Sequence, residues 1–177
     1  MKPNLSRKIV LITIGLVTVL FGITVYPAVS AVIVVGSIPY SDVVGGPGTV
    51  TVRQLTIAPG EVLAWHYHPG FVMTVVKQGT LTVEDGCGGV EVYTQGQAFE
   101  EIPGRVHRGK NLGAEEVQTI QTFIIAEGLP TSVQPPGPLC GPPANMNDCK
   151  NGGWMSFNHP RSFSNQGDCE QYVNTGR

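Results

Sequence analysis

From Thr49 onwards, apolar and polar residues alternate in short bursts cut by glycine and proline, the pattern of strands rather than helices. The first burst is 49–57, with Val50, Val52, Leu55 and Ile57 as candidate core residues around one register irregularity. Pro59-Gly60 turns the chain into an extended stretch over 62–68. Further strands are predicted over 72–77, 80–84, 90–93, 99–102 and 118–126, with Gln78-Gly79 and the run Asp85-Gly86-Cys87-Gly88-Gly89 as breaks. Sustained helical periodicity is confined to the end of the chain. There 166–173 predicts one helix, with Ser164 or Asn165 near its N-cap and Asp168 in its first turn. Many short strands joined by glycine turns predict an all-β closed barrel or sandwich.

The pattern changes at both ends. Lys2, Arg7 and Lys8 precede an uncharged apolar run over 9–25, and Val29-Ser30-Ala31 supplies small residues where a signal peptidase reads. Residues 1–31 are therefore expected to be an export signal cleaved after Ala31. An uncleaved membrane anchor over 9–35 is the competing reading. Either one places the rest of the chain outside the cytoplasm: secreted, periplasmic or on the cell surface. After Gly128, residues 129–148 carry Pro130, Pro135, Pro136, Pro138, Pro142 and Pro143 with little apolar content, which predicts a semi-rigid extended linker.

Residues 149–177 form a tail framed by cysteines. The motif C-K-N-G-G-W at 149–154, followed by F-x-N-Q-G-D-C at 163–169, resembles a short tail found on many exported bacterial proteins. No activity is implied by that resemblance. The four cysteines are even in number and lack C-x-x-C spacing. Of the three possible connectivities, the first choice pairs Cys149 with Cys169 around Trp154, worth about 3 kcal/mol in loop entropy. Cys87 would then pair with Cys140, the alternative being a free Cys87. His159, before Pro160, has no ligand-type residue at useful spacing and is expected to be structural or solvent-exposed.

Composition agrees with one modest β-domain plus extensions. Of 177 residues, 23 are glycine and 14 proline, and only 14% are charged. The net charge is −2 and no basic cluster follows Lys8, so no nucleic-acid partner is expected.

The chemistry concentrates in three of the four histidines. His66 and His68 form an H-x-H pair, whose imidazoles share one face of a strand because side chains alternate with period two. His107, from a neighbouring strand, would complete a three-nitrogen shell for a divalent metal such as Fe, Mn, Zn, Ni or Cu. The competing reading is three histidines that only pack.

These stretches resemble the two motifs of the cupin family. In G-x5-H-x-H-x3-E-x6-G, Gly60, His66, His68 and Gly79 match, with Val72 at the glutamate position. In G-x5-P-x-G-x2-H-x3-N, Gly96, Gly104, His107 and Asn111 match, with Ile102 at the proline position and Pro103 one residue late. The resemblance covers 37–128 and implies a double-stranded β-helix, or jelly-roll barrel, assigned to residues 32–128. The family's glutamate is a metal ligand; valine cannot serve, so the implied shell is His66, His68 and His107 alone. Three neutral imidazoles leave the site at 2+, which favours an anionic small-molecule ligand. Glu100 and Glu101 lie near the second motif, but on a strand only one can face inward, and both are expected to be solvated. Arg53 could hold a carboxylate from inside a barrel, but an outward, salt-bridging position is expected. Trp65 and Tyr67 alternate with the histidines and should face away from them.

Two function classes stay open. One is a metal-dependent oxygenase or isomerase acting on a small polar molecule. The other is a non-catalytic module for a small anion, a sugar or a metal, favoured by the missing glutamate and the lack of an evident general base. A homodimer is left open, and membrane association would follow only from an uncleaved N-terminal segment.

Overall fold

The computed structural model describes residues 28–177; the expected export signal therefore lies almost wholly, and the alternative anchor mostly, outside the described residues. Eight strands follow in order: β1 (Val29–Ser41), β2 (Gly46–Ile57), β3 (Phe71–Gln78), β4 (Thr80–Asp85), β5 (Val90–Thr94), β6 (Ala98–Glu101), β7 (His107–Lys110) and β8 (Val117–Ala126). They form a five-stranded sheet in the order β1-β2-β8-β3-β6 and a three-stranded sheet in the order β5-β4-β7. Every pairing is antiparallel. The non-sequential order is that of a double-stranded β-helix, as the motif resemblance implied. The expected cleavage point after Ala31 falls inside β1, an edge strand whose residues are largely exposed. Among the described residues, no helix is long and apolar enough to cross a membrane.

Leu55, Ile57, Val76, Leu81 and Val117 form one apolar cluster, and Val72, Phe123 and Ile125 form another. Between them the interior is polar. β8 buries every second residue, and its inward series is Val117, Thr119, Gln121, Phe123 and Ile125. β2 runs against β8 in unbroken register from Gly48 to Ile57, which puts Thr51, Arg53, Leu55 and Ile57 on the inner face. Here the sequence expectation needs correction: the register irregularity, opposite Val52 and Arg53, lies in β1 between Val32 and Val34 and leaves the β2–β8 pairing unbroken, and Val50 and Val52 face the other way. Hydrophobicity alone misassigned them because this strand turns polar residues inward to build a site. Gly79, in the tight β3–β4 connection, has φ +78°, and a Cβ there would lie 2.7 Å from the Glu116 carbonyl oxygen. Glycine suits both the left-handed backbone and the close approach.

The proline-rich stretch, expected as a semi-rigid extended linker, is tied to the barrel. Tyr67 and Val133 exchange both backbone hydrogen bonds, at 3.0 and 2.9 Å. A Cβ on Gly86 would lie 1.9 Å from the Leu139 carbonyl oxygen, so the chain crosses that loop where only glycine fits. Cys87 and Cys140 are bonded beside this crossing. Prolines suit the path because they hold extended backbone with few donors to satisfy.

The tail has its own small core. Cys149–Cys169 is the second disulfide, so both first-choice pairings occur and no free cysteine remains among the described residues. Phe157 and Phe163 are buried with these sulfurs and Cys140, and Trp154, Tyr172 and Val173 pack against them. The expected helix is α2 (Gln166–Thr175), following α1 (Met146–Cys149) and a single 3₁₀ turn at Gly153–Ser156. Asn165 is the N-cap of α2, accepting from the Asp168 amide at 2.9 Å.

Candidate metal centre

The two motifs meet through the backbone. His66 N–H donates to the His107 carbonyl at 3.0 Å, and His107 N–H returns to the His66 carbonyl at 2.8 Å. The H-x-H segment is thus a bridged extended stretch rather than a full strand, yet it keeps strand alternation. His66, His68 and His107 converge, with ring centroids 4.5–5.2 Å apart. Trp65 and Tyr67 turn away as expected: Arg108 lies over the Trp65 ring at 4.3 Å, and Tyr67 packs on His159 at 5.1 Å. His159 is accordingly a packing residue.

Each imidazole is oriented by a backbone carbonyl. Nδ1 of His66 contacts Ala64 O at 2.9 Å, Nδ1 of His68 contacts Thr131 O at 2.5 Å, and Nδ1 of His107 contacts Arg105 O at 2.8 Å. A carbonyl only accepts, so Nδ1 must carry the proton, which leaves Nε2 as the free lone pair when the ring is neutral. Such outer contacts fix both tautomer and ring angle in metal sites. One of them comes from the proline-rich stretch.

The structure also brings in a group that sequence reasoning set aside. Glu101 is buried, with Oε2 at 2.7 Å from His68 Nε2 and 3.0 Å from His107 Nε2. Its Oε1 accepts from the Thr74 hydroxyl and, at 3.3 Å, from Gln121 Nε2. The expectation that both glutamates are solvated is therefore wrong for Glu101 and right for Glu100, which is exposed at the rim of a neighbouring cavity of about 310 Å³. Val72 and Glu101 are register partners on adjacent strands β3 and β6. Position 72 is apolar, and the carboxylate enters the same interior from the strand alongside. One signal was available: with valine at the usual ligand position, a paired Glu-Glu on the adjoining strand must send one carboxylate inward.

His66, His68, Glu101 and His107 place their ligand-type atoms within 4.8 Å of one another. Burial tends to raise the Glu101 pKa, but the hydrogen bonds from His107 and His68 win and hold it well below the usual carboxylate range. His107 is the reverse case: burial lowers its pKa, and the bond to Glu101 outweighs this and raises it. His66 falls to about 4 through burial and the neighbouring His107. With the rings neutral and protonated at Nδ1, His68 Nε2 and Glu101 Oε2 face each other at 2.7 Å as two buried acceptors with no proton between them. Buried unpaired acceptors cost about 1–3 kcal/mol each. A divalent cation relieves this mismatch, so the donor set fits a metal.

A cavity of about 180 Å³ adjoins the cluster and is lined by Arg53, His66, Thr74, Glu101, His107 and Gln121, with Leu55, Leu63, Leu81 and Phe99 as apolar wall. Ser132 and Gln134 of the proline-rich stretch line it too. Arg53 faces this cavity, not solvent as expected. Its Nε donates to Gln121 Oε1 at 2.8 Å, and its guanidinium lies 4.5 Å from the Phe123 ring centre. Asn111, the last fixed position of the second motif, is fully buried and structural: its Nδ2 donates to Ile57 O and Glu115 O at 3.0 and 2.8 Å.

A double-stranded β-helix with histidines from two motifs converging inside it defines a class, the cupins. Residues 53–123 match the family model described as cupin domain, in keeping with the resemblance carried by the two motifs. No curated protein matches the chain. Among solved structures it is similar to a conserved double-stranded beta-helix protein from Klebsiella pneumoniae (20% identity, TM-score 0.47, covering 61% of this chain and 84% of that one). It is also similar to a cupin domain from Bordetella pertussis (21% identity, TM-score 0.45, covering 56% of this chain and 95% of that one).

Proposed function

We propose that the barrel binds one divalent metal through His66, His68 and His107, with Glu101 as fourth ligand, and works as an oxygenase or isomerase on a small polar molecule. The orphaned pair His68 Nε2 and Glu101 Oε2, set among imidazoles anchored at Nδ1, carries this reading. Fe, Mn, Zn, Ni and Cu all suit a nitrogen-rich set with one carboxylate. Such an ion supplies Lewis acidity and, if redox-active, electron transfer. The chain's own part is to hold the imidazoles in one tautomer, keep Glu101 ionised through Thr74 and the histidines, and wall off bulk water with Leu55, Leu63, Leu81 and Phe99.

A non-catalytic binding module is the second reading. It is supported by Glu101 itself, whose Oε1 is taken by Thr74 and Gln121 and whose Oε2 is turned to two imidazoles, so that it is not placed as a free base toward the cavity. We further propose that the protein acts outside the cytoplasm, a reading supported by its two disulfides.

Elemental analysis of the purified full chain tests the metal reading. Near-stoichiometric metal is expected, falling more than tenfold in His66→Ala and Glu101→Ala with far-UV circular dichroism unchanged. A metal-free wild type that cannot be reloaded overturns it. Iron or copper would favour oxygenase chemistry over the binding module.

A further inference from the structure

We infer that the cavity beside the histidines is a carboxylate-binding site, in which Arg53 receives the anionic group of a small organic acid. The inference rests on the metal reading for the full site but draws on separate residues. Arg53 belongs to a polar row that runs across the five-stranded sheet. Arg53 and Gln121 are register partners, as are Gln121 and Thr74. Gln121 fixes Nε of the guanidinium at 2.8 Å, and Phe123 supports it at 4.5 Å. The group is thus oriented before any ligand arrives, so binding loses less side-chain entropy.

The carboxylate that acts on this cation through space, Glu101, is turned to the histidines and makes no ion pair with it. Among the described residues, no carboxylate lies within ion-pair distance of Arg53, and its terminal nitrogens make no hydrogen bond to protein. Other charges of the barrel are matched: half-buried Glu84 takes both Arg108 and Lys110, and buried Glu101 is set against Thr74, Gln121 and two imidazoles. A half-buried guanidinium with its terminal nitrogens free is a ready fork for a carboxylate.

Charge counting points the same way. Three neutral imidazoles, one ionised Glu101 and a divalent ion sum to +1, and Arg53 brings the interior to +2. A mono- or dianionic ligand reduces that excess where low dielectric makes it costly. Size narrows the class further. The cavity, of about 180 Å³, is that of a small-molecule site, which suits a small organic acid.

Titration calorimetry on the full chain, with acetate, lactate and malonate against acetamide, lactamide and malonamide, tests the assignment. At least one acid should bind tenfold or more tightly than its amide. Arg53→Gln should abolish that preference, and Arg53→Lys should keep part of it, since a point charge replaces the fork. Metal content measured on the same samples should be equal in all three proteins. Equal binding of every acid and its amide in wild type, or an undiminished preference in Arg53→Gln, overturns the proposal. If Arg53→Gln fails to fold, the wild-type and Arg53→Lys preferences still decide it. Loss of the metal reading shows separately: a metal-free chain that still prefers acids through Arg53 would retain the anion site and discard the metal centre.

Discussion

The barrel and the tail bury opposite kinds of residue, and the difference shows where function resides. In the tail the buried groups are two phenylalanines and cystine sulfurs, while its polar side chains cap helices at the surface. In the barrel the middle of the interior is given to Thr51, Thr74, Gln121, Glu101, His68 and His107. Burying polar groups costs free energy unless each finds a partner. The tail avoids that cost and has the look of a fold stapled for stability. The barrel accepts it most densely between two apolar clusters, and that level holds the candidate site; Asn111, buried elsewhere, is satisfied by backbone carbonyls.

The sharpest test of this comparison is to cut each staple in turn. The Cys87–Cys140 bond spans 53 residues and Cys149–Cys169 spans 20. Loop entropy puts them at about 4 and about 3 kcal/mol. Cys87→Ser with Cys140→Ser should loosen the stretch that bonds His68 through Thr131 and lines the cavity through Ser132 and Gln134. We expect a lower melting temperature together with about tenfold weaker metal retention against a chelator. Cys149→Ser with Cys169→Ser should unfold the tail and leave metal retention unchanged. If both pairs behave alike, barrel and tail are not distinct in the sense argued. Proteolysis within 129–138 should likewise reduce metal retention, because that stretch is part of the site.

Much of the barrel was legible because strand length and alternation are local properties. Predicted strands over 90–93, 99–102 and 118–126 fall within a residue of β5, β6 and β8. The three histidines were legible from spacing alone, since alternation and one backbone bridge bring them together. What escaped were residues whose meaning depends on a neighbour far along the chain. Glu101 looks solvated until Val72 is seen as its register partner. Arg53 looks exposed until β2 is aligned on β8, and the prolines look like a spacer until Tyr67 pairs with Val133. In each case pairing between distant segments decided, and a pattern read along one segment does not contain it.

Swapping the carboxylate sharpens the same lesson. Val72→Glu alone places a second carboxylate in the core beside Phe123 and Glu101, and should destabilise the barrel by roughly 3 kcal/mol, the scale of an uncompensated buried charge. It should not raise metal retention. Glu101→Val alone should lose metal. The double variant returns one carboxylate to the same interior from the adjacent strand, and should recover much of both stability and metal. Chemical denaturation and metal content on the four proteins form a double-mutant cycle. Additive losses in the double variant would show that positions 72 and 101 do not serve one site.

The smallest expected effect separates the tail by pH. Asp168 is held at about 2, below its ordinary 3.8, first by the Arg161 guanidinium at 2.7 and 3.0 Å and then by the Ser164 amide. A carboxylate depressed on folding stabilises the folded form above its unfolded pKa, and loses that contribution as pH falls through the folded value. The tail should therefore lose stability between about pH 4 and pH 2. Because the pair is solvent-exposed, added salt should shrink the effect. Hydrogen exchange of the α2 amides, followed over this range, reads it directly. In Asp168→Asn, exchange at pH 7 should be faster than in wild type and the step between pH 4 and 2 should disappear. An unaltered acid step in that variant would place its origin elsewhere in the tail, and the surface cap would not be what holds the start of α2.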